Sequence, residues 1–118
     1  MNKVAVFVFA EPGTKESLGR VVNAMITVKE LKEAGNDVRL YFDGTGTKWP
    51  KELSKKDHIA YGLHEAVKDK VAGACLFCAT AFGAKDDVKD CKVKLVDEFD
   101  QHISIKKLLS EGFSIMNF

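Results

Sequence analysis

Five short apolar runs set the hydrophobic pattern of the chain, and each of them predicts a β-strand. The first run, Val4 to Ala10, is apolar at every position, which is typical of a strand buried on both faces. Shorter runs of the same kind follow at Val38 to Phe42, Val71 to Cys78, Val93 to Val96 and Phe113 to Phe118. Turn-forming glycine, proline, asparagine and aspartate residues separate most of them.

Between these runs, apolar residues recur at steps of three and four, which predicts amphipathic helices. Thr14 or Ser17 can cap the first helix and Ser104 the last, and a short helix is predicted from Ala79 to Asp90. The apolar residues of the three clearest faces are Leu18, Val21, Val22, Met25, Val28 and Leu31; Ile59, Leu63, Ala66 and Val67; and Ile105, Leu108 and Leu109.

The resulting order, β-α-β-α-β-α-β-α-β, predicts a single α/β domain over residues 1–118 with a parallel sheet and helices on both faces. Parallel sheets of this kind bind ligands outside the carboxyl ends of their strands. The loops expected at that edge are Glu11 to Thr14, Asp43 to Thr47, Cys78 to Gly83 and Asp97 to His102.

Composition and charge narrow the class of protein. The 118 residues are 46% hydrophobic and 30% charged, with a formal net charge of +1, which argues against a nucleic-acid-binding or membrane-binding surface. The first residues lack the pattern of a secretory signal. Three cysteines, an odd number, do not suit a disulfide scaffold. We therefore expect a cytoplasmic protein with reduced thiols.

The stretch GACLFCATAFGAKDD, residues 73–87, carries the candidate chemistry. Cys78 lies where the third strand should end and a helix should begin, and helix N-terminal N–H groups favour a thiolate. Cys75 lies inside the apolar run. Side chains alternate on a strand, so an offset of three predicts that the two cysteines face opposite sides and cannot pair unless the chain turns between them. We therefore interpret Cys75 as a buried apolar residue.

A zinc site is the main rival interpretation. Cys75, Cys78, Cys91 and His102 are residue types that bind zinc, but no second C-x-x-C or H-x-x-x-H accompanies them, and strand alternation should separate the first two. Cys91 is interpreted as a surface residue, with a resolving thiol as the alternative. The expectation is that the protein has no metal site.

No cofactor is predicted either. The loop from Asp43 to Thr47 matches neither glycine-rich phosphate motif, and Glu11 to Thr14 lacks the run of hydroxyl residues that holds a flavin phosphate. His58 and His64 are interpreted as surface or partner-facing residues. His102 is the one histidine expected near the edge of the sheet, where it would neighbour a thiol.

Three segments, GACLFCATAFGAKDDV, YFDGTGTKW and LVDEFDQHISIKKLLSEGFSIMNF, resemble the DsrE/DsrF-like family, also called the YchN-like fold. The most specific motif is the cysteine that closes the third strand, followed by Phe82-Gly83. The resemblance implies a three-layer α/β/α sandwich with a five-stranded parallel sheet, assembled as a homo-oligomer, often a trimer or a hexamer. In the sulfur-trafficking members the matching cysteine carries a persulfide for a partner protein, and this role falls on Cys78.

Three functional hypotheses follow. The first is a sulfur carrier, similar to a sulfurtransferase, that holds a persulfide on Cys78 and exchanges sulfur with donor and acceptor proteins. The second is a non-enzymatic oligomeric module that binds a small ligand, with Trp49, Phe82 and the last helix at the subunit interface. The third is a redox protein that uses Cys75 and Cys78 as a dithiol.

Overall fold

The chain folds into alternating strands and helices, as the hydrophobic pattern predicts. The computed structural model describes residues 1 to 118. The elements are β1 (Lys3–Val8), α1 (Lys15–Glu33), β2 (Asp37–Phe42), α2 (Trp49–Leu53), α3 (Tyr61–Val67), β3 (Val71–Cys75), α4 (Leu76–Ala81), α5 (Lys85–Asp90), β4 (Leu95–Val96), α6 (Ile105–Ser110) and β5 (Ser114–Asn117). Two 3-10 segments, Gly44–Lys48 and Lys68–Lys70, precede α2 and β3.

The five strands form one parallel sheet in the order β4-β3-β2-β1-β5. The interior strand β1 pairs Val6 with Leu40 of β2 on one side and with Met116 of β5 on the other. Both faces of β1 are buried, which explains why its sequence shows no alternation. The predicted α/β class with a five-stranded parallel sheet is confirmed.

One face of the sheet is covered by α1, α3, α4 and α5. Thr14 caps α1 by accepting a hydrogen bond from the Ser17 backbone N–H, and the Ser17 hydroxyl accepts one from the Thr14 N–H, so the two candidates for the cap act together. Residues such as Met25 and Val67 then pack against Val6 and Leu40 in the larger of two cores. None of the helices combines the length and the apolar character that crossing a bilayer requires.

The opposite face is covered by α6 and the chain before it, which completes a three-layer sandwich. Ser104 caps α6, as predicted, by accepting a hydrogen bond from the Lys107 N–H. Leu108 of α6 packs in a second core with Phe7 and Tyr41. The connection after β3 therefore crosses one face of the sheet, and the connection after β4 crosses the other. This arrangement makes a crevice between the carboxyl ends of β3 and β4.

The third strand ends three residues earlier than its apolar run predicts. Cys75 is extended (φ −61°, ψ 122°), and Leu76 already begins α4. The predicted helix from Ala79 to Asp90 is two helices, because Gly83 takes a left-handed conformation (φ 71°) between them. An apolar strand end and an apolar helix start look alike in sequence, which is why the boundary was misplaced.

Two further expectations about packing were wrong. Ile59 is 84% exposed and Ala66 is also exposed, whereas His64 is buried beside Val67. Trp49, which the hypothesis of an oligomeric binding module placed at a subunit interface, is 2% exposed, and its indole N–H donates a hydrogen bond to the Ala10 carbonyl. Trp49 therefore belongs to the core of the protomer.

Candidate functional site

The candidate site lies at the crevice between β3 and β4, where three loops meet. Asp43 follows β2, Cys75 and Cys78 mark the junction of β3 with α4, and His102 follows β4. These residues come from three of the four loops that the sequence predicts at the carboxyl edge of the sheet. The crevice is also the position at which open parallel sheets bind their ligands.

Cys75 ends β3 and caps α4 with its sulfur. Its side chain is fully buried, and Sγ accepts a hydrogen bond from the backbone N–H of Cys78 at 3.3 Å. The thiol also contacts the Gln101 carbonyl oxygen at 3.8 Å. Cys75 is buried as predicted, but the argument that the two cysteines face opposite sides was wrong. The chain turns into a helix after Cys75, so strand alternation does not apply to Cys78.

Cys78 lies in the first turn of α4 and is half-buried. Its thiol donates a hydrogen bond to Oδ1 of Asp43 at 3.3 Å. Burial, the neighbouring Cys75 thiol and the Asp43 carboxylate together raise the pKa of Cys78 to about 12, against a smaller opposing effect of the Gly44 N–H. The expectation of a thiolate-favouring environment is therefore wrong for the resting site, because the acceptors around the sulfur favour its protonated form.

Asp43 is fixed by the turn that follows β2. Its Oδ1 accepts a hydrogen bond from the Gly44 N–H at 2.8 Å and caps the 3-10 segment Gly44–Lys48. This segment lies tightly against the end of β1, since a Cβ added at Gly46 would come within 2.8 Å of the Val8 carbonyl carbon. The glycine-marked loop therefore acts as a close-packed support that holds a carboxylate beside Cys78.

His102 is held by a strained turn. Asp100 and Gln101 both have positive φ values, 46° and 66°, which is the pattern of a type I′ turn without its usual glycine. The Phe77 N–H donates to the Gln101 carbonyl at 2.9 Å and joins this turn to α4. Nδ1 of His102 donates to the Asp100 carbonyl at 2.7 Å, and the Phe77 ring stacks on the imidazole with centroids 4.8 Å apart. The ring orientation and the tautomer are thereby fixed.

The turn brings the imidazole to the two thiols. Sγ of Cys75, Sγ of Cys78 and a ring nitrogen of His102 all lie within 4.8 Å of one another. Three of the four residues weighed as zinc ligands therefore meet in space. The prediction that strand alternation keeps Cys75 and Cys78 apart was wrong. Cys91 is not in this group, and its sulfur lies 3.6 Å from the Ser54 hydroxyl.

The other histidines lie elsewhere. His58 accepts a hydrogen bond from the Ala60 N–H at 3.0 Å, and its ring meets Trp49 edge-on. His64, expected at the surface, is 6% exposed, and its Nδ1 has no hydrogen-bond partner. Burial lowers the pKa of His64, so that this side chain is neutral at pH 7.

Sequence reasoning missed two members of the site. Asp43 was placed at the edge of the sheet but only as part of a loop, and Phe77 received no role. The available signal for Asp43 was its position as the first polar residue after a buried strand. No local signal pairs Asp43 with Cys78, since 35 positions separate them in the chain.

Comparison with known proteins gives one relevant relative. The chain is 30% identical over 115 residues to the uncharacterized protein MJ0733 of Methanocaldococcus jannaschii, and the alignment covers 97% of this chain and 93% of the archaeal protein. No family model matches the chain. No solved structure matches it either.

Proposed function

We propose a sulfur-carrier function for this chain, which belongs to the same family as the uncharacterized archaeal protein MJ0733. In this proposal Cys78 accepts sulfane sulfur as a persulfide and passes it to a partner thiol. The observation that carries the proposal is the placement of Cys78: its sulfur is partly exposed at the carboxyl edge of the sheet, and its thiol donates to a carboxylate. The resemblance to the DsrE/DsrF-like family supports the same residue.

The loading step uses the Asp43 contact. Cys78 sulfur attacks the outer sulfur of a donor persulfide or polysulfide, and the S–S bond of the donor breaks. The proton of the Cys78 thiol, which is hydrogen-bonded to Asp43 Oδ1 at 3.3 Å, passes to the departing donor thiolate as the S–S bond breaks. Because the pKa of Cys78 is about 12, the thiol is protonated at rest; the departing thiolate, a stronger base than a carboxylate, takes the proton, and Asp43 orients the S–H bond.

The unloading step returns the site to its starting state. An acceptor thiolate attacks the outer sulfur of the Cys78 persulfide, forms its own persulfide and releases Cys78 sulfur, which recovers its proton. Two exposed aromatic residues adjoin His102. Phe77, 49% exposed, stacks on its ring, and Phe99, 68% exposed, accepts a hydrogen bond from its backbone N–H. Exposed aromatic residues of this kind suit contact with a protein donor or acceptor.

The proposal is tested by mass spectrometry of the reduced protein after incubation with inorganic polysulfide in the presence of a metal chelator. We expect one added sulfur atom on the Cys78 peptide of the wild type and of Cys91→Ser, and none on Cys78→Ser. A subsequent incubation with a small thiol should remove the label. Absence of added sulfur on the wild type, or equal loading of Cys78→Ser, contradicts the proposal.

A dithiol redox function is the second candidate, and the close approach of the two sulfurs favours it. The C-x-x-C motif opens α4, which is the setting in which this spacing allows a disulfide. Cys78 would attack a small disulfide and release one thiolate, and Cys75 would then attack the Cys78 sulfur and release the second. Two electrons thus pass from the cysteine pair to the oxidant.

The second candidate is tested by counting free thiols after equilibration with oxidised glutathione. Cys91→Ser should lose both remaining thiols without cross-linking between chains. In Cys75→Ser, the reaction should stop at a mixed disulfide on Cys78. Retention of both thiols in Cys91→Ser across oxidising buffers excludes the redox function and leaves the sulfur carrier unaffected.

A further inference from the structure

The cluster of Cys75, Cys78 and His102 has the composition and spacing of a metal-binding site. Tetrahedral zinc sites with Zn–S bonds of about 2.3 Å and Zn–N bonds of about 2.0 Å place their ligand atoms roughly 3.5–3.8 Å apart. The two sulfurs and a ring nitrogen of His102 already lie within 4.8 Å of one another. A contraction of roughly 1.3 Å at most therefore suffices, which small side-chain rotations of Cys78 and His102 can supply.

His102 is prepared for ligation by its own hydrogen bond. Nδ1 donates to the Asp100 carbonyl at 2.7 Å, and a carbonyl oxygen has no proton to give, so the ring proton is on Nδ1. The lone pair of Nε2 is then free. Histidines that bind metals usually donate their other ring N–H to a carbonyl or a carboxylate in this way. The stacked Phe77 ring holds the imidazole plane against α4.

The backbone of the turn that positions the His102 ring is strained. Asp100 and Gln101, two successive residues other than glycine, both have left-handed φ values, which such residues adopt only at an energetic cost. The Phe77 N–H and the Cys75 thiol both contact the Gln101 carbonyl. The strained turn is thus joined to the two-cysteine segment itself, and it brings the imidazole to the sulfurs.

The polar surroundings of the sulfurs also suit a cation. Asp43 Oδ1 contacts Cys78 Sγ at 3.3 Å, and the hydrogen-bond partners of the two sulfurs are a carboxylate, a carbonyl and a backbone N–H, with no lysine or arginine among them. A divalent cation would provide the positive charge that two thiolates need. Asp43 lies beside Cys78 but outside the three-ligand cluster, where its carboxylate can accept a hydrogen bond from a metal-bound water.

We propose that Cys75, Cys78 and His102 form a three-ligand binding site for a thiophilic divalent cation, with Zn²⁺ as the best fit and a water at the fourth position. Binding converts two thiols to thiolates and releases two protons for each ion. The site goes beyond the sulfur-carrier function and does not depend on it. The two uses compete for the same sulfur, because coordination to a cation lowers the nucleophilicity of the Cys78 thiolate.

The test is titration of the reduced protein with Co²⁺, which reports its ligands by absorption. We expect one ion per chain, sulfur-to-cobalt charge-transfer bands, the visible bands of tetrahedral cobalt, and displacement of Co²⁺ by Zn²⁺ with release of about two protons. Cys78→Ser should lose the charge-transfer intensity of its sulfur. His102→Gln should weaken binding by about tenfold or more, since loss of a ligand is at least as costly as loss of a supporting contact.

Matched controls are available in the same chain. Cys91→Ser and His58→Gln remove the same residue types outside the cluster and should bind cobalt as the wild type does. Absence of a stoichiometric cobalt complex overturns the proposal, and so does an unchanged affinity in His102→Gln. Circular dichroism of each variant establishes that its fold is intact. No sulfur donor is present, so failure here leaves the polysulfide experiment as an independent test of the sulfur carrier.

Discussion

The Cys78 thiol donates a hydrogen bond to the Asp43 carboxylate at 3.3 Å, which joins α4 to the turn after β2. Burial of the sulfur favours the protonated thiol most, and the contacts with Cys75 and with the Asp43 carboxylate raise the pKa of Cys78 further. Cys78 is thus reachable from solvent without being ionised at neutral pH. This combination suits a thiol that reacts when a partner is bound and otherwise resists oxidation and alkylation.

The pH dependence of Cys78 alkylation should reflect this contact. In Cys91→Ser, with metal removed, the rate of reaction with iodoacetamide should still rise above pH 9, because the pKa of Cys78 is about 12. Asp43→Asn keeps the side-chain oxygen that accepts the Gly44 N–H and removes the charge. It should shift the profile to lower pH and accelerate alkylation at pH 8. A plateau near pH 8.5 in the parent protein would contradict this account of the sulfur's environment.

Replacement of Gly46 should be costly. In Gly46→Ala the new Cβ meets the backbone of Val8 and Phe9 at the end of β1, and backbone atoms cannot move aside as a flexible side chain can. We expect a loss of about 3 kcal/mol or more in the free energy of unfolding, measured by urea denaturation.

The matched control for Gly46 is Gly19→Ala. Gly19 lies within α1 with no neighbour within 4 Å of an added Cβ. This substitution should raise the free energy of unfolding by up to about 1 kcal/mol, because alanine favours the helix. Equal stability of the two variants would refute the close packing of the 3-10 segment against β1.

Stability should fall in acid through His64. Burial lowers the pKa of His64 below the usual histidine pKa of about 6.5, so the unfolded chain binds this proton more readily than the folded chain. The contribution of the neutral side chain is complete above pH 6.5 and is lost as the pH falls from there toward the folded-state pKa. The loss amounts to about 1.4 kcal/mol for each pKa unit of depression.

Urea unfolding at pH 7.5 and 5.5 measures this effect. His64→Gln removes the titrating group and should show a smaller pH-dependent difference than the wild type. If the two proteins lost the same stability between these pH values, the acid sensitivity would have to come from other residues.

The turn before His102 should respond to substitution at Gln101 according to backbone strain. Gln101 is exposed with φ 66°, so Gln101→Gly should stabilise the protein by about 1 kcal/mol, and Gln101→Val should destabilise it by at least as much. Gln101→Ala, which has an ordinary Cβ and little side chain, serves as the reference. Thermal unfolding of the three variants gives the order directly, and the reverse order would rule out a left-handed residue at this position.

Hydrophobic periodicity was sufficient to predict the class of fold. The run from Val4 to Ala10 is apolar at every position because β1 is an interior strand that is covered on both faces, and the buried face of α1 follows from Val21, Met25 and Val28. The strand order was not predictable, since the position of β5 beside β1 depends on how a whole layer packs. Ile59 was expected to be buried and His64 to be exposed, and the structure shows the reverse. Ile59 precedes α3, which begins at Tyr61, and the buried face of α3 carries His64 and Val67.

The candidate site was predictable in place but not in chemistry. The edge of the sheet and the importance of Cys78 follow from the end of an apolar run. The partnership of Cys75, Cys78 and His102 depends on a strand that stops at Cys75 and on two left-handed residues, Asp100 and Gln101. Neither feature has a strong local signal, because cysteine is an unusual helix cap and glycine is absent from the turn.

The assembly of this site from distant segments has a practical consequence. The carboxylate of Asp43, the thiols of Cys75 and Cys78 and the imidazole of His102 become neighbours only when the ends of β2, β3 and β4 are aligned in the sheet. A short peptide spanning residues 73–87 would keep both sulfurs and lose the other two groups. Any spectroscopic or reactivity signature that needs all three segments can therefore serve as a reporter of the native state during unfolding, without an added probe.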